Sequence, residues 1–96
     1  MEEYIRGKMS NKIWRLDVDA SVRKKMQRIP VVDADAIEAA IDRMSLDPYR
    51  GDVEKMKGEE NAWRRRVRAY RLFLRIYPGL RRVFVYKLER RTSTTY

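Results

Sequence analysis

Between Ala62 and Arg91 this chain alternates cationic side chains with aromatic and β-branched ones, and few folds accept that pattern. The stretch holds eleven of the 23 basic residues in the chain but only one of its 14 acids, Glu89. Interleaved with them are Trp63, Val67, Tyr70, Phe73, Ile76, Val83, Phe84, Val85 and Tyr86. A solvated tail would not carry such apolar groups. The pattern requires strands with one face buried and the charge on the other. The remaining residues are close to neutral, so the formal net charge of +9 is one concentrated surface. Such a surface suits a polyanion, RNA or DNA first.

Residues 1–96 are enough for one small domain with little core to spare. The 44% hydrophobic content argues against disorder across the chain. There is no cysteine, which excludes disulfides and thiolate–metal sites. There is no histidine, which removes the commonest acid–base group near neutral pH and the commonest nitrogen ligand. Depletion of acids from the basic stretch argues against a two-metal nuclease, and no metal or cofactor is expected. No apolar run approaches the roughly 20 residues of a membrane span. The N-terminus lacks the apolar region of a secretory signal. The expectation is a cytoplasmic protein with no membrane partner. Residues 1–10 read as a flexible extension, with Met9 an alternative start.

The pattern predicts β-α-α-β-β-β. Lys12–Val18 alternates, with Trp14, Leu16 and Val18 on one side. Asp19 caps a short helix carrying Val22, Met26 and Ile29, stopped by Pro30. Asp33 is expected to cap a second helix, whose stripe of Ile37, Ala40, Ile41 and Met44 faces a sheet. A turn follows over Asp47–Asp52, then a polar loop over Lys55–Asn61. Ala62–Val67, Tyr70–Tyr77 and Arg82–Leu88 read as strands, the last two joined at Pro78-Gly79. The fold class is α+β, two N-terminal helices packed on an antiparallel sheet. Trp14, Trp63, Phe73 and Phe84 read as core residues rather than base-stacking platforms, because so small a domain is short of core.

Several segments together resemble the RelE/ParE toxin superfamily, in its RelE-like branch. They are Lys55-Met56-Lys57-Gly58, Trp63-Arg64-Arg65-Arg66-Val67 and Tyr70-Arg71-Leu72, closing on Arg90-Arg91 and Tyr96. The similarity spans about Asn11 to Tyr96 and includes the element order. It implies a RelE-like fold and the toxin of a type II toxin–antitoxin system. The implied activity is that of a metal-independent endoribonuclease, an mRNA interferase that cuts the codon in the ribosomal A site. The nucleophile is the 2′-hydroxyl of the mRNA itself. In-line attack on a phosphate needs charge stabilisation, a proton acceptor and a donor, and guanidinium groups with a phenol can supply these without histidine.

The resemblance assigns Arg71 to the scissile phosphate, which a guanidinium can clamp bidentately. It gives Arg90 and Tyr96 the six-residue spacing of a paired arginine and tyrosine, one for developing charge and one for base stacking or proton transfer. Arg64 and Arg66 match positions often held by lysine, one of them implicated as general base. Arginine is a poor acceptor, since its pKa in proteins exceeds about 12. That departure either shifts proton transfer toward Tyr96 or Lys57 or leaves a slower enzyme that relies on charge stabilisation. Arg66 stays among the catalytic residues, while Lys57, Arg64, Arg65, Arg68 and Arg91 read as RNA-binding. Arg68 stands where relatives commonly place glycine, so the hairpin must turn without glycine's freedom.

Two other functions fit the sequence. One is a ParE-like inhibitor of DNA gyrase, acting by protein contact. The other is a basic domain that binds RNA or the ribosome without turnover. Both toxin readings imply a cognate antitoxin, the protein being a monomer when free and a hetero-oligomer with that partner. The nuclease reading adds the ribosome and mRNA.

Overall fold

The computed structural model describes residues 13–91. Within them the chain runs β1 (Arg15–Val18), α1 (Ala20–Met26), α2 (Val31–Met44), β2 (Val53–Lys55), β3 (Ala62–Val67), β4 (Tyr70–Tyr77) and β5 (Arg82–Arg90). A 3₁₀ turn at Pro78–Leu80 joins β4 to β5. The strands form one sheet in the order β1-β5-β4-β3-β2. The expected α+β architecture is present, with two refinements. β1 pairs parallel with β5, so the sheet is mixed rather than wholly antiparallel. A short strand, β2, occupies part of the turn-and-loop region and pairs with β3.

Both helices cover one face of the sheet. Val22 of α1 and Ile37, Ala40, Ile41 and Met44 of α2 meet Leu72, Leu74 and Ile76 of β4 and Val83, Val85 and Leu88 of β5. Alternation accounts for the arrangement: every second residue of β4 faces the helices, and the residues between, Arg71, Phe73 and Arg75, face away. Trp14 and Trp63 pack against this core as expected. Phe73 and Phe84 do not join it, because the alternation of their strands puts them on the other face.

Local chemistry explains the element ends. Ser21 donates its backbone N–H and its hydroxyl to Asp19 at the start of α1. Those bonds hold the Asp19 carboxyl below its ordinary value. The cap is therefore complete above the unfolded carboxylate range and is lost as pH falls through the lower folded value. Asp33 does not cap α2. The helix begins two residues earlier at Val31, with Pro30 as N-cap accepting from the backbone of Asp33 and Ala34. Proline presets a backbone angle suited to a helix start. Asp33 is left in the first turn, where it ion-pairs with Arg68. Arg68 itself adopts φ +54 in the β3–β4 turn, the left-handed region that glycine serves at low cost.

Gly51 has φ +93, and a Cβ there would lie 2.7 Å from the guanidinium carbon of Arg65. Gly51→Ala is expected to destabilise the protein by about 1 kcal/mol, since the positive φ disfavours a side chain and the Arg65 guanidinium would have to shift to admit one. A urea unfolding midpoint unchanged from the parent would contradict this packing.

Candidate phosphate-binding site on the open sheet face

The sheet face opposite the helices carries the charge. Strand register arranges it in rows. Across β5, β4 and β3 the first row reads Glu89, Arg71, Arg66. It continues to Asp52, whose carbonyl accepts the Arg66 backbone N–H at 2.9 Å. A second row reads Phe73, Arg64, Glu54. Arg66 Nε lies 3.5 Å from Asp52 Oδ2, and Arg64 Nη2 lies 3.0 Å from Glu54 Oε1. Arg71 completes a small hollow of about 60 Å³ with these four side chains.

Strand pairing supplies acids that the local sequence lacks. On this face, Arg64 pairs with Glu54, Arg66 with Asp52, Arg75 with Glu59, Arg82 with Asp17 and Lys87 with Glu89. Among the described residues Arg71 makes no ion pair. It stands directly across from a like charge, Arg66. Like charges opposite one another in a sheet are destabilising by themselves. An anion bound between them turns repulsion into a two-pronged clamp. The Asp52 contact runs through Nε of Arg66 at 3.5 Å, and among the described residues its terminal nitrogens make no hydrogen bond to another side chain.

Other residues singled out from the sequence lie elsewhere. Arg65 points to the helix side, where its Nη1 donates to the Arg50 carbonyl at 2.9 Å. Burial pushes its guanidinium below the ordinary value, with Arg43 adding to the effect and Asp52 opposing it. Arg68 is engaged by Asp33 beside α2. Lys57 is exposed in the β2–β3 turn, at the end of that hairpin away from Arg66. Arg90 does not converge with Arg71. Its guanidinium carbon sits 5.9 Å from the centre of the Tyr70 ring. There it lines a groove of about 680 Å³ on the helix side with Lys24, Lys25 and Arg28. Arg91 follows the end of β5, where its N–H donates to the Ala69 carbonyl at 2.7 Å and alternation puts it on the Arg71 side. Tyr96 lies outside the described residues.

Asp52 and Glu54 are site residues that the sequence alone did not reveal. Their only signal is the alternation of Asp52-Val53-Glu54, which is too short to separate a strand from a loop. They are the carboxylates that line the hollow beside its three arginines. Among the described residues no group of three or more potential metal ligands gathers. No helix there is long and apolar enough to cross a membrane.

No known family profile matches the sequence, and no curated protein matches it significantly. Solved structures do match the fold. The RelE–RelB complex of the archaeon Pyrococcus horikoshii OT3 superimposes with a TM-score of 0.75 at 21% identity, over 85% of this chain and 99% of that one. The isolated RelE toxin of Escherichia coli gives 0.70 at 17% identity, over 84% and 87%. The RelBE2 toxin–antitoxin complex of Mycobacterium tuberculosis gives 0.69 at 19%, over 81% and 98%. The fold is thus that of the RelE toxins.

The ion pairs on the open face are solvent-exposed, so each is worth little and exchanges readily for phosphate. Asp52→Asn is expected to strengthen binding of single-stranded RNA, and Arg71→Ala to weaken it. Loss of one phosphate contact should flatten the slope of log K against log salt by about 0.7. Fluorescence anisotropy titrations across salt concentrations check both directions.

Proposed function

We propose that this protein is the toxin of a type II toxin–antitoxin pair, a ribosome-dependent endoribonuclease that cuts mRNA in the A site and stops translation. The observation that carries the reading is Arg71, without an ion pair among the described residues, facing Arg66 on the open sheet of a RelE-like fold. A phosphodiester bridging the two guanidinium groups would have its developing negative charge stabilised by charge-assisted hydrogen bonds.

The chemistry follows from what the hollow holds. The 2′-hydroxyl oxygen attacks the adjacent phosphorus, and the bond from phosphorus to the 5′-oxygen breaks, leaving a 2′,3′-cyclic phosphate. The hydroxyl proton passes to a carboxylate, Asp52 or Glu54. These replace the lysine for which Arg64 and Arg66 are poor substitutes. The departing 5′-oxygen takes its proton from water. Lys57 is displaced from this role by its place at the far end of the β2–β3 hairpin.

An antitoxin is the second partner. The groove on the helix side combines Lys24, Lys25, Arg28 and Arg90 with an apolar floor of Ile29, Tyr70 and Leu88. It fits an acidic amphipathic segment better than RNA. The toxin–antitoxin complexes among the structural neighbours support such a partner. The free protein is read as a monomer, and the complex with antitoxin as a hetero-oligomer.

Primer extension on mRNA threaded through purified ribosomes tests the reading. Breaks within the A-site codon are expected, absent on naked mRNA and absent with Arg71→Ala. Asp52→Asn and Glu54→Gln should bind at least as tightly as the parent, and the one that removes the acceptor should cut at least ten-fold more slowly. Intact mRNA despite ribosome binding would instead mark a binder without turnover. Intact mRNA without ribosome binding would direct attention to gyrase inhibition.

A further inference from the structure

Beside the Arg66–Arg71 clamp the open face carries an aromatic surface that the cleavage chemistry leaves unused. Phe73 follows Arg71 by two residues on β4, so the two project from the same face about 7 Å apart along the strand. The Phe73 and Tyr86 ring centres are 6.3 Å apart. Those of Tyr86 and Phe84 are 6.1 Å apart, the planes inclined by only 34°. The three rings thus run from the clamp across β4 and β5.

An irregularity in the ladder places them there. Phe73 pairs with Lys87 and Leu74 with Val85, so Tyr86 is the extra residue of a β-bulge. Val85 and Leu88 are both buried on the helix side. Strict alternation would put residues three apart on opposite faces. The bulge keeps both in the core and turns Tyr86 and Lys87 together onto the open face. Bulges of this kind are enriched beside active sites, where they re-aim a side chain.

Cations lie over these rings. The Arg75 guanidinium carbon is 5.1 Å from the centre of the Tyr86 ring, and Lys87 Nζ is 5.2 Å from that of Phe73. Tyr86 and Phe84 keep part of their surface exposed, whereas Phe73 is buried. Among the described residues both helices lie on the opposite side of the sheet. Aromatic rings interleaved with cations along a phosphate-binding track are the chemistry that holds single-stranded nucleic acid.

We propose that Tyr86, backed by Phe73 and Phe84, is a stacking platform for an unpaired nucleobase of the RNA strand whose phosphate sits between Arg66 and Arg71. This rests on the RNA-cleaving reading above and adds to it a subsite for a base. Stacking is tolerant of base identity, because every base presents a π face. The subsite therefore positions the strand more than it reads sequence. Arg75 lies over Tyr86 in the free protein, so it swings aside to admit the base and then closes over it from the other side. A protein partner is the less favoured occupant, since the cations around the rings would face a peptide backbone with no charge of its own.

The test uses mRNA carrying 2-aminopurine beside the scissile position, both free and threaded through purified ribosomes. Stacking on Tyr86 should quench its fluorescence. Tyr86→Leu keeps an apolar side chain at the bulge but removes the ring. It should abolish the quench and weaken RNA binding on the order of ten-fold, with the salt slope unchanged. Tyr86→Trp should restore both, which separates stacking from loss of fold. An RNA with an abasic site at that position should bind the parent and Tyr86→Leu alike. Cleavage by the parent with no quench, or with Tyr86→Leu binding as the parent does, would overturn the platform and leave the nuclease reading intact. Quenching without cleavage would support the platform and overturn the nuclease. If Tyr86→Leu weakened only the complex with a co-expressed antitoxin, the surface would belong to protein recognition and the platform would be wrong.

Discussion

The helix-facing side of β4 fixes everything else in this molecule. Leu72, Leu74 and Ile76 are wholly buried in the central strand, flanked by β3 and β5. A slip of one residue would drive Arg71, Phe73 and Arg75 into the core and expel three aliphatic side chains. No alternative register approaches the native one. The positions of Arg71 and Phe73 on the open face are therefore a by-product of core packing, held with the rigidity of the core itself. The phosphate clamp proposed for this strand would need little reorganisation on binding.

That rigidity sits beside a deliberately soft electrostatic surface. The cationic stretch is segregated along the sequence, yet folding distributes acids through it: Asp17 from β1, Asp52 and Glu54 from the edge hairpin, Glu59 from the turn. Each pair is exposed and easily exchanged. The surface is tempered enough to limit self-repulsion, while its carboxylates can yield their partners to an RNA backbone. Arg71, which makes no ion pair among the described residues, would need no such exchange on the RNA-binding reading proposed above.

Much of this was legible in the residues. The alternation of cationic and apolar residues predicted strands with the charge on one face, and the helical stripe of α2 predicted its contact with the sheet. What escaped was whatever depends on a second strand. The pairing of β1 with β5 involves residues far apart in sequence, and no local pattern encodes a parallel partner. β2 is three residues long and gains its identity only from β3. Phe84 read as core because so small a domain is short of apolar groups, yet it alternates with buried Val83 and Val85 and lies on the open face, while the bulge at Tyr86 reverses the alternation only from Lys87 onward. Arg90 and Arg91 shared that difficulty: the face each takes follows from the shift in register upstream. Pro30 claimed the start of α2 from Asp33 because its fixed backbone angle competes with side-chain capping.

The parallel pairing of β1 with β5 also bears on how the molecule comes into being. β1 is made first among the described strands, yet its only neighbour is made last, and β5 must itself dock on β4 before it can receive β1. During synthesis the early strand waits with an unpaired edge while the rest of the chain emerges. Closing so long a loop is the slow, entropically costly part of folding. The open face gains Glu89, Lys87 and Tyr86 only at that late stage. A nascent chain thus lacks the β5 border of this face until β5 has been made and has docked on β4.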